Sequence, residues 1–548
     1  WARSALNPAN RVDVLPTTTA SSSKWRIDGA ATFKTRFFAV PLELMRSNRL
    51  SPLRIDVFLP DQGDYPSALR QSLDASTGVP LQHPPAVAAL GISRYLCRLL
   101  DHYCAQHPTF LEGYQRLPFG SRIIIADVVV NIAQAKLEVE PNYSLEGAAT
   151  SFPVLKQLWT NEIATDQWPP AIDIFSLRTV RQVHDSVTLV RIEEFIDRPE
   201  LEGHLAIFKS GTDEFHHMLH ELKLLLTIPP HPNIIGQPLA VVTKKCGFGG
   251  KQGVFGFLIP YLPAGSIRDI LPAVRADDPL AVRRGLKWCK QLTSALIHVW
   301  KEGGTFYSDL RPDNVLLNAP DTSASGSPDY DVVLCDFEQR GNWHEWCAPE
   351  ILYPQYLENL RNNRRRFKDS TWDSVIEAYT RYRPPVSGET RVSSRNRPWF
   401  SLSKENQEKA MVFSLGLFLY CVFEGLSTVS PSLPYSFSSD PDIAFPQFRR
   451  TPVPIRELIE RCTADSPLWR AEDVRPKRIV RKEGLLFSDY CVDSECLPRQ
   501  TAHTVLSTAR QSWSYELEKA RQFFETDQWK AQIFGRDRPT LKEVMKLL

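Results

Sequence analysis

Four polar residues that could do chemistry together lie close to one another in the chain. Asp309, Arg311 and Asn314 fall within one short stretch, and Asp336 follows an apolar run downstream. Carboxylate and amide oxygens are hard ligands that suit magnesium, and a carboxylate can also accept a proton. A single Asp or Asn is more often a surface group or a structural partner, so the motifs around these residues decide what they mean.

The segments around these residues together resemble a protein kinase. Residues 307–317, YSDLRPDNVLL, are similar to the catalytic loop HRDLKPENVLL. They are followed by CDFE at 335–338, where the kinase DFG motif stands, and by APE at 348–350. Upstream, the AIFK that ends at Lys209 resembles the β3 lysine motif, and Glu221 begins a segment similar to the helix whose glutamate pairs with that lysine.

The resemblance implies a nucleotide and metal site. Lys209 would hold the α- and β-phosphates of ATP, and Glu221 would orient its ammonium group. Asn314 and Asp336 would bind Mg²⁺ ions that bridge the phosphates. With Asp309, these residues make five matching positions in the order of the family, so a kinase-like fold is the expectation.

The same resemblance assigns the catalytic step to two residues. Asp309 would accept the proton of the acceptor substrate, and Arg311 occupies the place of a lysine that contacts the transferred phosphate. The planar guanidinium of arginine can make that contact with two hydrogen bonds. The expected activity is therefore ATP-dependent phosphate transfer.

Three positions depart from the kinase pattern. The hairpin before Lys209 has RQVHDS at 181–186, without the glycines whose bare backbone lets a loop close over phosphates. Glu338 replaces the DFG glycine, and Met411 stands where an aspartate would anchor the catalytic loop. We expect a weaker or different nucleotide grip, and an anchor for the loop from elsewhere.

The segment between the DFE and APE motifs predicts an unusual substrate. Residues 336–350 contain no Ser, Thr or Tyr, so activation-loop phosphorylation is excluded as a switch, and Ser308 replaces the arginine that reads that phosphate in many kinases. We expect Trp343, His344 and Trp346 to pack beneath the APE motif rather than stack on a ligand. A small molecule or a single dedicated partner is favoured as acceptor over general peptide substrates.

Glu350 of the APE motif predicts a structural ion pair. Its arginine partner is either Arg538, in a segment similar to the last kinase helix, or Arg475, and both alternatives stay open.

Two other functions remain open. The departures are compatible with a catalytically inactive, pseudokinase-type binding module. The DFEQRGNW segment also resembles a filamentous-fungal group of kinase-like proteins, in which the fold could serve another group transfer, for example a tRNA-dependent arginine-containing cyclodipeptide synthase. The basic stretches 361–368 and 475–482 would then meet RNA phosphates, although solvated loops are the simpler interpretation.

Composition limits the remaining classes. The net charge of +2 excludes a globally basic nucleic-acid wrapper, and 43% hydrophobic residues supply a buried core. The apolar run 411–423 is shorter than the ~20 residues of a membrane-spanning helix, so we predict a buried helix and no membrane partner. The ten cysteines lack the spacing of a zinc site, which favours reduced thiols and an intracellular location, cytoplasmic or nuclear.

The order of predicted elements gives the fold class, α+β, with a bilobal protein-kinase-like domain preceded by a smaller α+β N-terminal domain. We expect a flexible leader over 1–24, a front domain of unknown role over 25–171, a mainly antiparallel N-lobe over 172–262 and a helical C-lobe over 263–548. Insertions are expected near 354–400 and 476–536. The front domain carries no chemistry motif, and residues 121–140 are ambiguous between strand and helix.

Overall fold

The computed structural model describes residues 24–31, 36–42, 56–58, 85–127, 132–211, 215–247, 249–277, 281–319, 329–362, 373, 376–377, 390, 392, 396–430, 440–441, 443–469, 479–482, 485–488 and 502–548. These residues form two units of mixed α and β structure. The first unit comprises the described residues up to Thr227 together with Gly236–Tyr261. The second comprises Ile228–Ile235 together with the described residues from Leu262 onward.

The front part of the first unit is a five-stranded sheet whose strands lie in chain order. The strands are β1 (Trp25–Ala31), β2 (Arg36–Pro41), β3 (Asp56–Phe58), β4 (Arg122–Asp127) and β5 (Lys136–Glu140). Helices α1 (Pro85–Gln106) and α2 (Phe110–Gln115) stand between β3 and β4 in the chain. The β3 and β4 strands are parallel, and such a pair requires a crossover of this kind.

The core of this sheet explains why residues 121–140 form strands. Ile123 and Ile125 are fully buried, and their two-residue spacing places both on one face of β4. Leu96 and Leu100 of α1 belong to the same core, at the four-residue spacing of one helix face. The ambiguity in the sequence is thus resolved as β4 and β5, separated in part by the 3₁₀ turn Ile132–Gln134.

The rest of the first unit is built on a six-stranded sheet. After α3 (Tyr143–Ala148) and α4 (Phe152–Leu158), the chain forms β6 (Ala171–Asp173), β7 (Leu177–His184), β8 (Val187–Ile192), β9 (Leu205–Ser210), α5 (Phe215–Thr227), β10 (Ala240–Lys245) and β11 (Gln252–Pro260). The order across the sheet is β6, β10, β11, β9, β8, β7. The expected antiparallel pairing holds from β10 to β7, but β6 pairs parallel with β10, so the sheet is mixed.

The second unit is mainly helical. Its helices are α6 (Ile267–Asp277), α7 (Ala281–Lys301), α8 (Pro349–Asn362), α9 (Arg397–Ser401), α10 (Lys404–Glu424), α11 (Val453–Cys462), α12 (Ala502–Glu525), α13 (Asp527–Ala531) and α14 (Leu541–Leu547). Two hairpins accompany them: β12 (Val315–Asn318) with β13 (Asp331–Leu334), and β14 (Ile479–Lys482) with β15 (Leu485–Ser488).

Helix α10 forms the centre of the second unit. Every residue from Ala410 to Glu424 is buried, as expected for a helix that is apolar all round. Gly416 allows close approach to α11, because a Cβ at this position would lie 2.6 Å from the Cβ of Cys462. None of the described helices combines the length and apolarity that crossing a bilayer requires.

Some predictions fall on residues outside the described part of the chain. These include nearly all of the leader, Arg475, most of the basic stretch 361–368 and parts of both expected insertions, 354–400 and 476–536. Eight cysteines lie among the described residues, and none of these forms a disulfide.

Candidate active site

In the first unit, a buried ion pair joins the β9 strand to helix α5. Lys209 lies on β9, opposite Val187 of β8 and Phe257 of β11. Glu221 lies on the buried face of α5. The Nζ atom of Lys209 is 3.0 Å from Oε2 of Glu221, and the two side chains are only 8% and 1% exposed. The structure therefore brings together Lys209, the expected phosphate-binding cation, and Glu221, its expected orienting carboxylate.

In the second unit, the loop that precedes β12 holds Asp309 in a fixed position. The Nδ2 group of Asn314 donates to the backbone oxygen of Asp309 and to its Oδ2 atom, at 2.9 Å in both cases. The Nε atom of Arg311 lies 3.4 Å from the other carboxylate oxygen. A short 3₁₀ turn, Pro312–Asn314, places Asn314 where its amide can reach back. Asp309, Arg311 and Asn314 thus form one contiguous polar cluster.

The surroundings of Asp309 favour its protonated form. Burial is the largest cause and raises the pKa of Asp309 to about 7, with a further contribution from the nearby carboxylate of Asp336. Arg311 and the hydrogen bond from Asn314 act in the opposite direction. Although burial disfavours the charge of Arg311, the neighbouring carboxylates raise the pKa of its guanidinium. A carboxyl group that titrates near neutral pH is suited to accept and release a proton.

Asp336 is held beside the same loop by the end of β13. The backbone N–H of Cys335 donates to the carbonyl oxygen of Asn314 at 3.0 Å, and the Tyr307 hydroxyl donates to the carbonyl oxygen of Cys335 at 2.5 Å. Asp336 has a φ of +66°, in the left-handed region that is unfavourable for a residue with a Cβ. Backbone strain of this kind persists only where the surroundings enforce it, and it is concentrated at functional sites.

The loop 307–317 is anchored by side chains that the sequence did not indicate. Gln339 donates from Nε2 to the carbonyl oxygen of Phe306 at 2.6 Å, and Asn342 donates from Nδ2 to the carbonyl oxygen of Leu310 at 2.9 Å. Met411 also contributes, because its sulfur accepts the N–H of Tyr307 at 3.2 Å. The anchor was expected from elsewhere than Met411, and that expectation is only partly right.

Glu338, in place of the DFG glycine, forms an ion pair within its own segment. Its Oε2 atom is 2.5 Å from Nε of Arg340, and its side chain is only 11% exposed. The additional carboxylate is thus largely neutralised by a neighbour two residues away.

The aromatic residues that follow divide into two environments. Trp346 is 3% exposed, and His344 packs against Tyr356 with a ring distance of 4.5 Å, as expected for packing residues. Burial lowers the pKa of His344 to about 4. Trp343 differs, since it is 43% exposed and its ring centre lies 5.8 Å from the guanidinium carbon of Arg311. The prediction of buried packing is therefore wrong for Trp343.

Of the two arginines that the sequence left open as partners of Glu350, Arg538 forms the ion pair. The two nitrogens of the guanidinium lie 2.7 and 3.0 Å from the two oxygens of Glu350, and Asp465 contacts the same guanidinium. All of these atoms belong to the second unit, and Arg538 is 2% exposed. The APE glutamate is thus part of a buried ionic network.

Of the basic stretches, the structure describes only residues 361–362 and 479–482, so the RNA surface stays a prediction. Arg361 contacts Glu358 at 3.5 Å, and residues 479–482 form the β14 strand of a hairpin.

No protein-family model matches the chain, and no curated protein matches it significantly.

Proposed function

We propose that the chain is a divergent kinase-like protein with a bilobal protein-kinase-like domain. It uses ATP and Mg²⁺ to transfer phosphate to a small molecule or a dedicated partner. Lys209 holds the phosphates, and Glu221 orients the ammonium group of Lys209. Asn314 and Asp336 supply oxygen ligands to the metal, Asp309 accepts the proton, and Arg311 contacts the transferred phosphate.

The buried pair of Lys209 and Glu221 is the observation that carries this proposal. Burying two charges costs several kcal/mol per ion, and an apolar pair of similar volume is often as stable or more stable. Stability alone therefore gives little reason to keep a lysine and a glutamate 3.0 Å apart beneath the sheet. The lysine ammonium group has three rotatable donors, so it can donate to the carboxylate and to a phosphate at the same time, which gives the pair a chemical use.

The cluster around Asp309 supports the same activity independently. It places a carboxylate, a carboxamide and a guanidinium within hydrogen-bond or ion-pair distance of one another. The segment that follows favours a dedicated acceptor over regulated general protein phosphorylation. It offers no hydroxyl group for phosphorylation, and Gln339 and Asn342 tie it to the catalytic loop.

The test is phosphate transfer from labelled ATP with Mg²⁺, using cell extract as the source of acceptor. Asp309→Asn removes the base and is expected to lower transfer by about 10² to 10⁴. The matched control is Asp313→Asn, which changes a carboxylate of the same loop that pairs with Arg268 at 3.2 Å. Transfer that survives in Asp309→Asn would overturn the assignment of the base.

A non-catalytic binding module is the second candidate, and Glu338 favours it. A carboxylate paired with Arg340 in the place of a flexible glycine stiffens the segment that carries Asp336. The two candidates differ in nucleotide binding. Absence of any thermal shift with ATP and either Mg²⁺ or Mn²⁺ would exclude the phosphotransferase.

A further inference from the structure

The tip of the hairpin formed by β7 and β8 lies beside Lys209 within the first unit. Val187 at the start of β8 is the sheet partner of Lys209. The carbonyl oxygen of Ser186 at the tip accepts the N–H of Ser210 at 2.8 Å. The position of this tip therefore affects what can reach Lys209 along the sheet.

The front sheet contacts this hairpin through a buried carboxylate. The side chain of Asp28 on β1 is completely buried, and its Oδ2 atom accepts the backbone N–H of Gln182 on β7 at 2.8 Å. Arg26 pairs with the same carboxylate and donates from Nη2 to the carbonyl oxygen of Val180 at 2.9 Å. Two successive parts of β7 are thus fixed by side chains of the front sheet.

A second contact reaches the tip itself. Asp185 lies at the turn, with its carboxylate 2.5 Å from Nδ1 of His184 and 3.9 Å from Nη1 of Arg36 on β2. The side chain of Arg36 is only 7% exposed, so its guanidinium is largely buried against the protein and has little freedom to move away from the hairpin tip. The guanidinium of Arg36 offsets part of the negative charge of Asp185, which would otherwise repel phosphate.

A loop that grips phosphates with its backbone depends on glycine, and this hairpin has none between 181 and 186. Its geometry must be fixed from outside if it is to shape a binding site. We propose that the front sheet is the positioning element of the nucleotide site, with Asp28 as the positioning residue that holds the hairpin beside Lys209. The inference rests on the proposed function, because it takes ATP as the ligand of Lys209.

The same unit offers a matched control at the other end of the sheet. Glu146 on α3 is 2% exposed, pairs with Lys244 on β10 at 2.5 Å and accepts the N–H of Gly247 at 2.8 Å. Three strands separate β10 from β7. Glu146→Gln therefore weakens a comparable buried contact without touching the hairpin.

The experiment measures the Kd for MgATP by calorimetry on the full chain, with the thermal midpoint of each variant. If loss of the Asp28 contacts reduces the competent hairpin population to about a tenth, the Kd rises about tenfold for Asp28→Ala. Asp28→Asn keeps one acceptor oxygen, so an intermediate Kd is expected. Glu146→Gln is expected to bind MgATP as the wild type does.

The outcomes separate the two proposals. A wild-type protein that binds MgATP, with Asp28→Ala no weaker than Glu146→Gln at a comparable thermal midpoint, overturns the positioning role alone. A wild-type protein that binds no nucleotide overturns the proposed function and this inference with it. The inference is supported if the affinity for MgATP falls stepwise from the wild type to Asp28→Asn to Asp28→Ala and does not fall in Glu146→Gln.

The tip contact gives a second test through a double variant. Arg36→Ala leaves the charge of Asp185 less compensated and is expected to weaken MgATP binding. Arg36→Ala combined with Asp185→Ala is expected to recover the affinity, because the repelling carboxylate is gone. If the double variant binds no better than Arg36→Ala, the electrostatic part of the proposal is wrong.

Discussion

Two buried ion pairs, one in each unit, are built differently. In the second unit, Arg538 makes two parallel hydrogen bonds to Glu350, contacts Asp465 and donates to the carbonyl oxygen of Lys409 at 3.0 Å. In the first unit, Lys209 meets Glu221 through an ammonium group at 3.0 Å. The guanidinium is a rigid planar fork held by several acceptors, whereas an ammonium group is a point charge on a flexible stem.

The geometry of the two pairs indicates which charges stabilise the fold. A guanidinium saturated by two carboxylates and a carbonyl has no donors to spare for a ligand, so its network links α8 to the chain before α14. A lysine can rotate one of its donors towards a phosphate without leaving its carboxylate. We therefore expect the two pairs to respond oppositely when stability and activity are measured together.

The largest expected effect is on stability, from Arg538→Ala. Removing this side chain leaves Glu350 buried without its counter-charge, which typically costs about 3 to 5 kcal/mol. Urea unfolding would measure the loss. The matched control is Arg521→Ala, since Arg521 pairs with Glu518 and Glu525 at the surface and is 45% exposed. An exposed pair is worth about 0 to 1 kcal/mol. Equal losses in the two variants would show that the Arg538 network is not structural.

The second prediction concerns Lys209→Met combined with Glu221→Leu. Replacing both partners with apolar groups removes the buried charges together, so the free energy of unfolding is expected to stay within about 1 kcal/mol of wild type or to rise. Phosphate transfer is expected to fall by about 10² to 10³, the cost of losing one preorganised electrostatic contact.

Glu350→Leu with Arg538→Met is the contrasting double variant. It leaves Asp465 without its arginine, so it is expected to destabilise the second unit. The two pairs do not differ in role if the Lys209 and Glu221 variant loses stability to the same degree, or if it keeps its transfer activity.

The sequence predicts a mainly antiparallel sheet over 172–262, and the six-stranded sheet agrees with this from β10 to β7, because period-two apolar runs and turn residues mark strands directly. Its motifs also predict the pairing of Lys209 with Glu221. The sequence did not indicate the hydrogen bond from Asn314 to Asp309, because its motifs assign Asn314 to a metal ion. It did not predict β6 as a parallel sixth strand, since three residues carry too little periodicity. Nor did it predict β1, whose apolar residues follow immediately after a polar leader.

The anchors of the loop 307–317 could not be predicted for a different reason. Gln339 and Asn342 act through side-chain amides that reach backbone carbonyls of Phe306 and Leu310, more than thirty positions earlier in the chain. No local pattern encodes such a contact. The one available signal was the loss of an aspartate at Met411, which indicated a missing partner without locating its replacement.

The third prediction applies the same contrast to the segment between the DFE and APE motifs. Trp343 is 43% exposed beside Arg311, whereas Trp346 is 3% exposed. If the acceptor stacks on the exposed ring, Trp343→Ala raises the KM for the acceptor about tenfold with little change in kcat. Trp346→Ala would instead lower the thermal midpoint. The KM is measured with the acceptor recovered from the extract. An unchanged KM in Trp343→Ala would show that the Trp343 ring does not bind the acceptor.

The smallest expected effect concerns His344, which packs against Tyr356 in the segment between the DFE and APE motifs. Burial lowers its pKa to about 4, below the ordinary value of 6.5, so the unfolded chain binds a proton in a range where the folded chain does not. Its contribution to stability is therefore present above pH 6.5 and is lost as the pH falls towards 4. Between pH 7.5 and 5.5 we expect the wild type to lose about 1 kcal/mol more of its free energy of unfolding than His344→Leu loses. Urea unfolding at the two pH values measures this difference, and parallel losses in both proteins would mean that another group is responsible. Burial and the nearby His298 also lower the pKa of His231, but His231 is present in both proteins, so its contribution cancels from this difference.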